Sequence, residues 1–252
     1  MPNNQPLKLI WDLEFCASQT FRGDLRAAPG YIFCFGYKEL GKGSAKVITI
    51  KDFPGKTAID DSYLIKEVAK ILKPVDLHIY HYGNSCDWKF VQTRLMRWGN
   101  LPLNKSAAFD TCTVAKNRLS IKSNSLKSLA YFFELDEGKM EIPHDVWLLA
   151  NAGDAAAIRK ISERCRSDVR LTEQVYNKLM PLVENHPAIY KMKKLEDGKY
   201  TERPRQCQSC CSTRIKSNGF TATAKTIKQR YRCTSCNASM FVAVPVKYHK
   251  ES

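Results

Sequence analysis

The chain has 252 residues, 44% hydrophobic and 26% charged, and its 40 Lys and Arg outnumber 25 Asp and Glu for a formal charge of +15. Twelve Gly and eleven Pro exclude collagen-like and low-complexity character, and the positive balance points to polyanions as partners and away from acidic surfaces. No apolar run approaches the roughly 18 residues of a membrane span, and the opening Met-Pro-Asn-Asn-Gln-Pro lacks the features of a signal peptide, so a cytoplasmic chain with no membrane partner is expected.

In chain order, residues 7–15 (LKLIWDLEF) read as a central strand. Residues 31–40 and 46–51 are rich in β-branched and aromatic residues and predict two more strands, joined by a Gly41-Lys42-Gly43 turn. Residues 60–72 place Leu64, Val68, Ile71 and Leu72 at helical spacing, and Pro74 stops that helix. A strand over 77–80, a helix over 87–98 and a short strand over 107–110 follow. From there the pattern is helical to about residue 185, with breaks near 120–123, 137–143 and 153. Three strands, a helix, a strand, a helix, a strand and then helices make an α/β domain with a mixed sheet.

Charge divides the chain. From Pro187 onward fourteen Lys and Arg meet four Asp and Glu, so two thirds of the net charge sits in the last quarter. The polar stretch before Cys207 is bracketed by prolines, which suits a linker. The expected organisation is a domain over 1–186, a linker over 187–206 and a small domain over 207–252.

Asp12 and Glu14 are two apart on the first strand, so both point to one face while Trp11, Leu13 and Phe15 take the other. Paired carboxylates in an apolar strand are costly to bury unless a cation lies between them. Asp87 opens a helix after a strand, where an Asp commonly caps. Asp168 lies in a helix one turn after Arg164, where a solvated ion pair is the plain reading. Asp110 ends a strand, and capping is its simplest role.

The order and spacing of Asp12, Glu14, Asp87 and Asp168 resemble the DEDD exonuclease superfamily. The phrases IWDLEF, FCFGY, HYGNSCDWKFVQTR, FDTCTVAK, SNSLKSLAYF and CRSDVRLTEQVY are similar to bacterial and phage exonuclease-like proteins of that superfamily, over residues 7–182. The resemblance implies a ribonuclease H-like fold and a 3′–5′ exonuclease. It also implies Asp12, Glu14, Asp87 and Asp168 as ligands of two Mg²⁺ or Mn²⁺ ions, with Asp12 shared between them, hydrolysing phosphodiesters by the two-ion route. Two positions depart from the pattern. Tyr82 stands where relatives carry an Asn, and Arg164 and Glu163 stand where they carry the Tyr or His that orients or deprotonates water. Arginine is no base at accessible pH. Three readings stay open: Arg164 holds the scissile phosphate, Glu163 or His144 serves as base, or catalysis is weak or lost.

Of ten cysteines, five are scattered, and five (Cys207, Cys210, Cys211, Cys233 and Cys236) crowd into thirty residues. Cys207-x2-Cys210 and Cys233-x2-Cys236, twenty-two residues apart, have the two-knuckle spacing of one structural Zn²⁺ held by four thiolates. Cys211 is a competitor of Cys210, and the x2 spacing favours Cys210. The intervening loop resembles the zinc ribbons of some insertion-sequence transposase proteins. Arg214, Lys216, Lys225, Lys228, Arg230 and Arg232, with Phe220 and Tyr231 among them, suit a nucleic-acid-binding face with stacking groups.

The combined expectation is a metal-dependent exonuclease with a zinc ribbon that helps bind substrate, DNA favoured over RNA and single strands over double. Two other readings compete: a nucleic-acid-binding fold without hydrolysis, and a protein-docking module.

Overall fold

Alternation along residues 8–16 sets the architecture: Leu9, Trp11 and Leu13 are buried, while Asp12 and Glu14 are only partly covered on the opposite face. The computed structural model describes residues 6–16, 30–104, 106–136, 138–183, 187, 206–223 and 226–244. All but the two ends of the expected linker, Pro187 and Gln206, therefore lie outside the described residues. Contacts divide the chain into two compact units, one spanning Leu7–Lys178 and a second that includes Leu179–Ser252.

The larger unit is built on a five-stranded sheet. Its strands are β1 (Lys8–Cys16), β2 (Tyr31–Glu39), β3 (Lys46–Thr49), β4 (Leu77–Tyr80) and β5 (Ala107–Asp110), in the order β3-β2-β1-β4-β5. β1, β2 and β3 pair antiparallel; β4 and β5 join parallel to β1 through helical crossovers. Gly41 and Gly43 adopt positive φ in the β2–β3 connection, which supplies the reversal expected of Gly-Lys-Gly.

Among the described residues six α-helices flank the sheet: α1 (Ser62–Leu72), α2 (Asp87–Arg97), α3 (Thr111–Arg118), α4 (Leu126–Phe132), α5 (His144–Asn151) and the 25-residue α6 (Ala155–Leu179). The apolar positions of α1 and α2, Leu64, Ile65, Val68, Val91 and Leu95, join Trp11, Phe33 and Phe35 of the sheet in one core. Beneath it runs a buried ion pair. Arg94 Nε donates to Asp61 Oδ2 at 2.8 Å, and the same carboxylate accepts from Ile32 N at 2.9 Å and Trp98 Nε1 at 2.7 Å. One wholly buried acid thus ties α1, α2 and β2 together. Among the described residues no helix is long and apolar enough to cross a membrane.

The mixed sheet with flanking helices is what the element order predicts, and it is the ribonuclease H-like arrangement that the resemblance implies. The element bounds move by a residue or two, as where the helix expected from residue 60 begins at Ser62. Asp60 instead accepts from the Lys56 and Ser62 amides, ahead of the first helical turn.

The second unit carries an antiparallel sheet of β6 (Ile215–Thr223), β7 (Thr226–Cys233) and β8 (Ser239–Val244), with β7 central. Its core is small: Cys207, Ile215, Tyr231, Cys233, Cys236, Ala238, Met240 and Val242.

Candidate active site

Two carboxylates come from β1 and a third arrives on α6. Asp12 pairs with Gly36 across the β1–β2 ladder. A Cβ at Gly36 would lie 2.8 Å from Cys165 Sγ and 3.0 Å from Val169 Cγ2, so glycine is what lets α6 seat closely here. The Cys165 thiol approaches the Asp12 carbonyl oxygen at 3.6 Å, and one turn further along α6 Asp168 faces β1. Asp12, Glu14 and Asp168 each offer an oxygen within 4.8 Å of the others. Asp168 is buried, not the solvated helical acid of the plain reading.

Asp87 enters from the end of β4. The loop that delivers it is pinned by Asp110, whose Oδ1 accepts from Tyr82 N at 3.0 Å and whose Oδ2 accepts from Asn84 N at 3.0 Å. Asp110 also accepts from the Cys112 and Thr113 amides and so caps α3. Tyr82 takes a left-handed φ of 64°, and Gly83 sits so tightly on the Tyr80 ring that a Cβ would approach it to 2.4 Å. Asp87 stands outside the close triad but raises the carboxyl pKa of both Asp12 and Glu14. The carboxylates therefore gather at the carboxyl ends of the parallel strands, where open α/β sheets bind ligands.

Such crowding is electrostatically expensive. Burial, then repulsion from Glu14, Asp87 and Asp168, holds the Asp12 carboxyl well above its ordinary value. Burial raises Glu14 to about 7, opposed by Arg164. It raises Asp87 likewise to about 7, with Asp110 adding to the rise. Asp168 is raised by burial against the pull of Lys139 and Arg164. Each shift records a charged form short of stabilisation.

Two cations stand among these acids. Arg164 Nε lies 3.2 Å from Glu14 Oε1 and 3.5 Å from Asp168 Oδ2, its guanidinium carbon 5.4 Å from the centre of the Trp147 ring. Its N–H is not aligned to donate to either carboxylate, and Arg164 Nε and Asp168 Oδ1 are both buried without a hydrogen-bond partner. Lys139, from the α4–α5 connection, places Nζ 3.4 Å from Asp168 Oδ2. Sequence reasoning missed Lys139, which belongs to no motif and lies on a loop 29 residues before Asp168. Glu163 is exposed on α6 and His144 exposed at the start of α5. His81 is half-buried beside Thr111 Oγ1 at 2.9 Å, and loss of solvent lowers its pKa to about 4.

The donor set fits a hard divalent cation: three carboxylates within reach of one point, and an orphaned buried oxygen, Asp168 Oδ1, lacking any other partner. Asp12, Glu14 and Asp168 would hold such an ion, with Asp87 at its margin.

In the second unit the Sγ atoms of Cys207, Cys210, Cys233 and Cys236 lie within 4.8 Å of one another. The two knuckles repeat one geometry. Ser209 N and Ser235 N each point at the first Sγ of their knuckle at 3.4 Å, and Cys211 N and Asn237 N each return to its first carbonyl at 2.9 Å. Cys211 and Asn237 occupy matching left-handed positions, with φ of 61° and 58°. Cys211 is therefore the turn residue of its knuckle and lies outside the four-thiol group, which suits tetrahedral Zn²⁺. Within the group a hydrogen bond from Cys236 lowers Cys207 to about 5, and burial raises Cys210 to about 11.

The basic residues sort by strand alternation. Lys228, Arg230 and Arg232 share the outer face of β7, with Lys216 opposite Arg232 and Phe241 opposite Arg230. Arg214 is exposed before β6, its Nε donating to Ser235 Oγ at 3.0 Å. Tyr231 is a correction: it points inward, 5% exposed, because it alternates with Arg230 and Arg232 and fills the core beside the thiols. Phe241, 48% exposed, is an aromatic opposite Arg230 that sequence reasoning passed over, while the expected Phe220, 63% exposed, stands opposite Gln229. Lys225 lies outside the described residues.

Comparison with known proteins agrees with this architecture. A family model described as the RNase_H superfamily matches residues 23–180. Among solved structures, the chain is similar to the family B DNA polymerase from the hyperthermophilic archaeon Pyrobaculum calidifontis, with a TM-score of 0.53 and 22% identity. That likeness covers 70% of this chain and 25% of the polymerase, so the chain spans only a fraction of the polymerase's length, and the fold is what the two share. No curated protein matches. A ribonuclease H-like sheet with its acids gathered at the strand ends, and a family model covering more than half of the sequence, place the chain in the RNase H superfamily.

Proposed function

We propose that the chain is a metal-dependent nuclease that shortens nucleic acid from its 3′ end, single-stranded DNA foremost, and that a zinc ribbon over 207–252 holds the substrate. The observation that carries this reading is the convergence of Asp12 and Glu14 from β1 with Asp168 from α6, with a buried oxygen of Asp168 left open. Lys139 and Arg164 offset these acids only in part, since Asp12, Glu14, Asp87 and Asp168 all keep raised pKa values.

A divalent ion bound there would supply an activated water and charge stabilisation at the phosphate. The chain's own part is placement. β1 presents Asp12 and Glu14 on one face, Gly36 admits α6, and Asp110 fixes the loop before Asp87. In hydrolysis the water oxygen bonds to phosphorus, the P–O3′ bond breaks, and the departing 3′ oxygen takes up a proton. Arg164 is suited to neutralising the phosphate as charge shifts, in keeping with the first of its three readings. The exposed placement of Glu163 and His144 argues against either as base. On the ribbon, Lys216, Lys228, Arg230, Arg232 and Arg214 would engage backbone phosphates.

A second reading, a nucleic-acid-binding fold without hydrolysis, is favoured by Arg164 in place of a water-orienting residue. One assay separates the two. An oligonucleotide labelled at its 5′ end, incubated with Mg²⁺ or Mn²⁺, is expected to shorten stepwise, and chelator or Asp12→Asn should stop it. A salt-sensitive mobility shift with no shortening supports the second reading. Neither shift nor shortening would leave protein docking as the role.

A further inference from the structure

The two cations in the acidic cluster converge on a single oxygen. Lys139 Nζ is 3.4 Å and Arg164 Nε 3.5 Å from Asp168 Oδ2, while Oδ1 of the same carboxylate is buried with no partner. Asp168 thus has one oxygen already covered by positive charge and one still open. Arg164 also lies against Glu14, and its guanidinium rests over Trp147. Asp87 is not among the three acids that share one centre.

From this geometry we infer that the cluster takes a single divalent cation, held by Asp12, Glu14 and Asp168, and that Lys139 and Arg164 supply the positive charge a second ion would bring. The inference rests on the nuclease reading for its purpose but not for its count of ions.

Charge accounting supports it. Two divalent ions against four carboxylates sum to zero. One divalent ion with an ammonium and a guanidinium against the same four carboxylates also sums to zero. With both side chains in place, a second ion would leave the pocket at a formal +2 before substrate arrives. That excess would have to be relieved by expelling Lys139 or Arg164. Arg164 is anchored by the Trp147 face and by two acids, and a guanidinium cannot shed its proton. Lys139 reaches the same Asp168 oxygen from the α4–α5 connection, and its ammonium adds to the positive charge a second ion would meet. It is a positioning residue: it acts on the acids and, through them, on which cations enter.

The test counts ions on the full, zinc-loaded protein. Mn²⁺ is titrated calorimetrically, and the bound state is read by electron paramagnetic resonance, with and without excess thymidine 5′-monophosphate. The wild type is expected to bind one Mn²⁺ per chain beyond its zinc and to show the spectrum of an isolated ion in both cases. Lys139→Met is expected to admit a second Mn²⁺ and a spin-coupled pair, while Lys139→Arg stays at one. Two coupled ions in the wild type would overturn the inference, as would a Lys139→Met variant that folds, keeps its zinc and still binds one. Were Lys139→Met to misfold, Lys139→Gln and the Lys139→Arg comparison carry the same readout. One ion bound with no cleavage of any oligonucleotide would sustain the ion count and sink the nuclease reading. Two ions bound with efficient cleavage would do the reverse.

Discussion

Gly36 stands directly across the ladder from Asp12, and the side chain it lacks is the space in which Cys165 and Val169 of α6 sit. The distance from the acids of β1 to Asp168 is set by that contact. A methyl group at position 36 would press on Cys165 Sγ at 2.8 Å and on its carbonyl oxygen at 3.3 Å. Gly36→Ala is expected to destabilise by about 1–3 kcal/mol through overpacking, and to weaken Mn²⁺ binding more than any surface substitution of equal cost. Adding Cys165→Ala removes the closest atom and should restore part of both. Urea denaturation with parallel metal titration checks this, and an unchanged metal affinity in Gly36→Ala would break the link.

The metal-free site should make stability fall as pH rises. Glu14 and Asp87, raised to about 7, hold protons in the folded chain that the unfolded chain has already released. Between the ordinary carboxylate range and about pH 7 the native state binds more protons, so unfolding free energy drops with rising pH. His81, lowered to about 4, works in the opposite direction over much of the same window, since it stays neutral when folded while the unfolded chain protonates. The difference between wild type and Asp87→Asn isolates the acids. The variant is expected to lose less stability than wild type between about pH 5 and pH 8 in chelator, as read by thermal melting. Mg²⁺ should reverse the wild-type trend, because bound metal favours the ionised forms.

How far the sequence disclosed this site depends on the kind of signal each residue left. Asp12 and Glu14 were legible because strand alternation is rigid: a spacing of two forces a shared face. The strand and helix order was legible for the same reason, from apolar periodicity. Lys139 left no trace, because a loop lysine meets the cluster only through the path of the α4–α5 connection, which no local pattern encodes. Gly36 likewise looked like any strand glycine until α6 was laid against it. Tyr231 was misread because clustering with Arg and Lys in sequence says nothing of the side on which a strand residue falls. Counting by twos from Cys233, which must face the other thiols, would have placed Tyr231 inward and Arg230 and Arg232 outward.

Arg94 is expected to be the costliest single charge to remove from the larger unit. Asp61 is fully buried, and its carboxylate is neutralised by Arg94 while it also accepts from the backbone of β2 and from Trp98. Arg94→Met would strand that carboxylate, at a cost of roughly 3–5 kcal/mol for breaking a buried pair from one side. Asp61→Asn with Arg94→Met should lose less than Arg94→Met alone, because a neutral amide needs no counter-charge. Chemical denaturation midpoints decide it, and additive losses in the double variant would mean that the two side chains do not act as a pair.

The equivalence of Cys211 and Asn237 makes the zinc assignment testable at one residue. Both sit at the left-handed turn of their knuckle, so Cys211→Asn should keep one zinc per chain. Cys210→Ser should lose it, and with it the small core that Cys207, Cys233 and Cys236 complete. Metal content after dialysis, measured for both variants, gives the answer. Zinc kept by Cys210→Ser and lost by Cys211→Asn would exchange their roles.

Phe241 and the arginines beside it should separate stacking from charge. Phe241 lies opposite Arg230 on the outer face, with Lys228 and Arg232 on the same side of β7. A base stacked on an exposed ring contributes about 1–3 kcal/mol and is nearly insensitive to salt. Phe241→Ala should therefore weaken binding of a single-stranded oligonucleotide while leaving the slope of log affinity against log salt unchanged. Each of Lys228→Gln and Arg232→Gln should instead flatten that slope by roughly 0.7, the loss of one phosphate contact on a single strand. Tyr231→Ala should behave unlike either, releasing zinc and unfolding the ribbon, because its ring packs beside the thiols. Fluorescence anisotropy across a salt series, with zinc content measured on every variant, reads all four. If Phe241→Ala binds like wild type and Tyr231→Ala folds but binds weakly, the nucleic acid lies on the opposite face of the sheet.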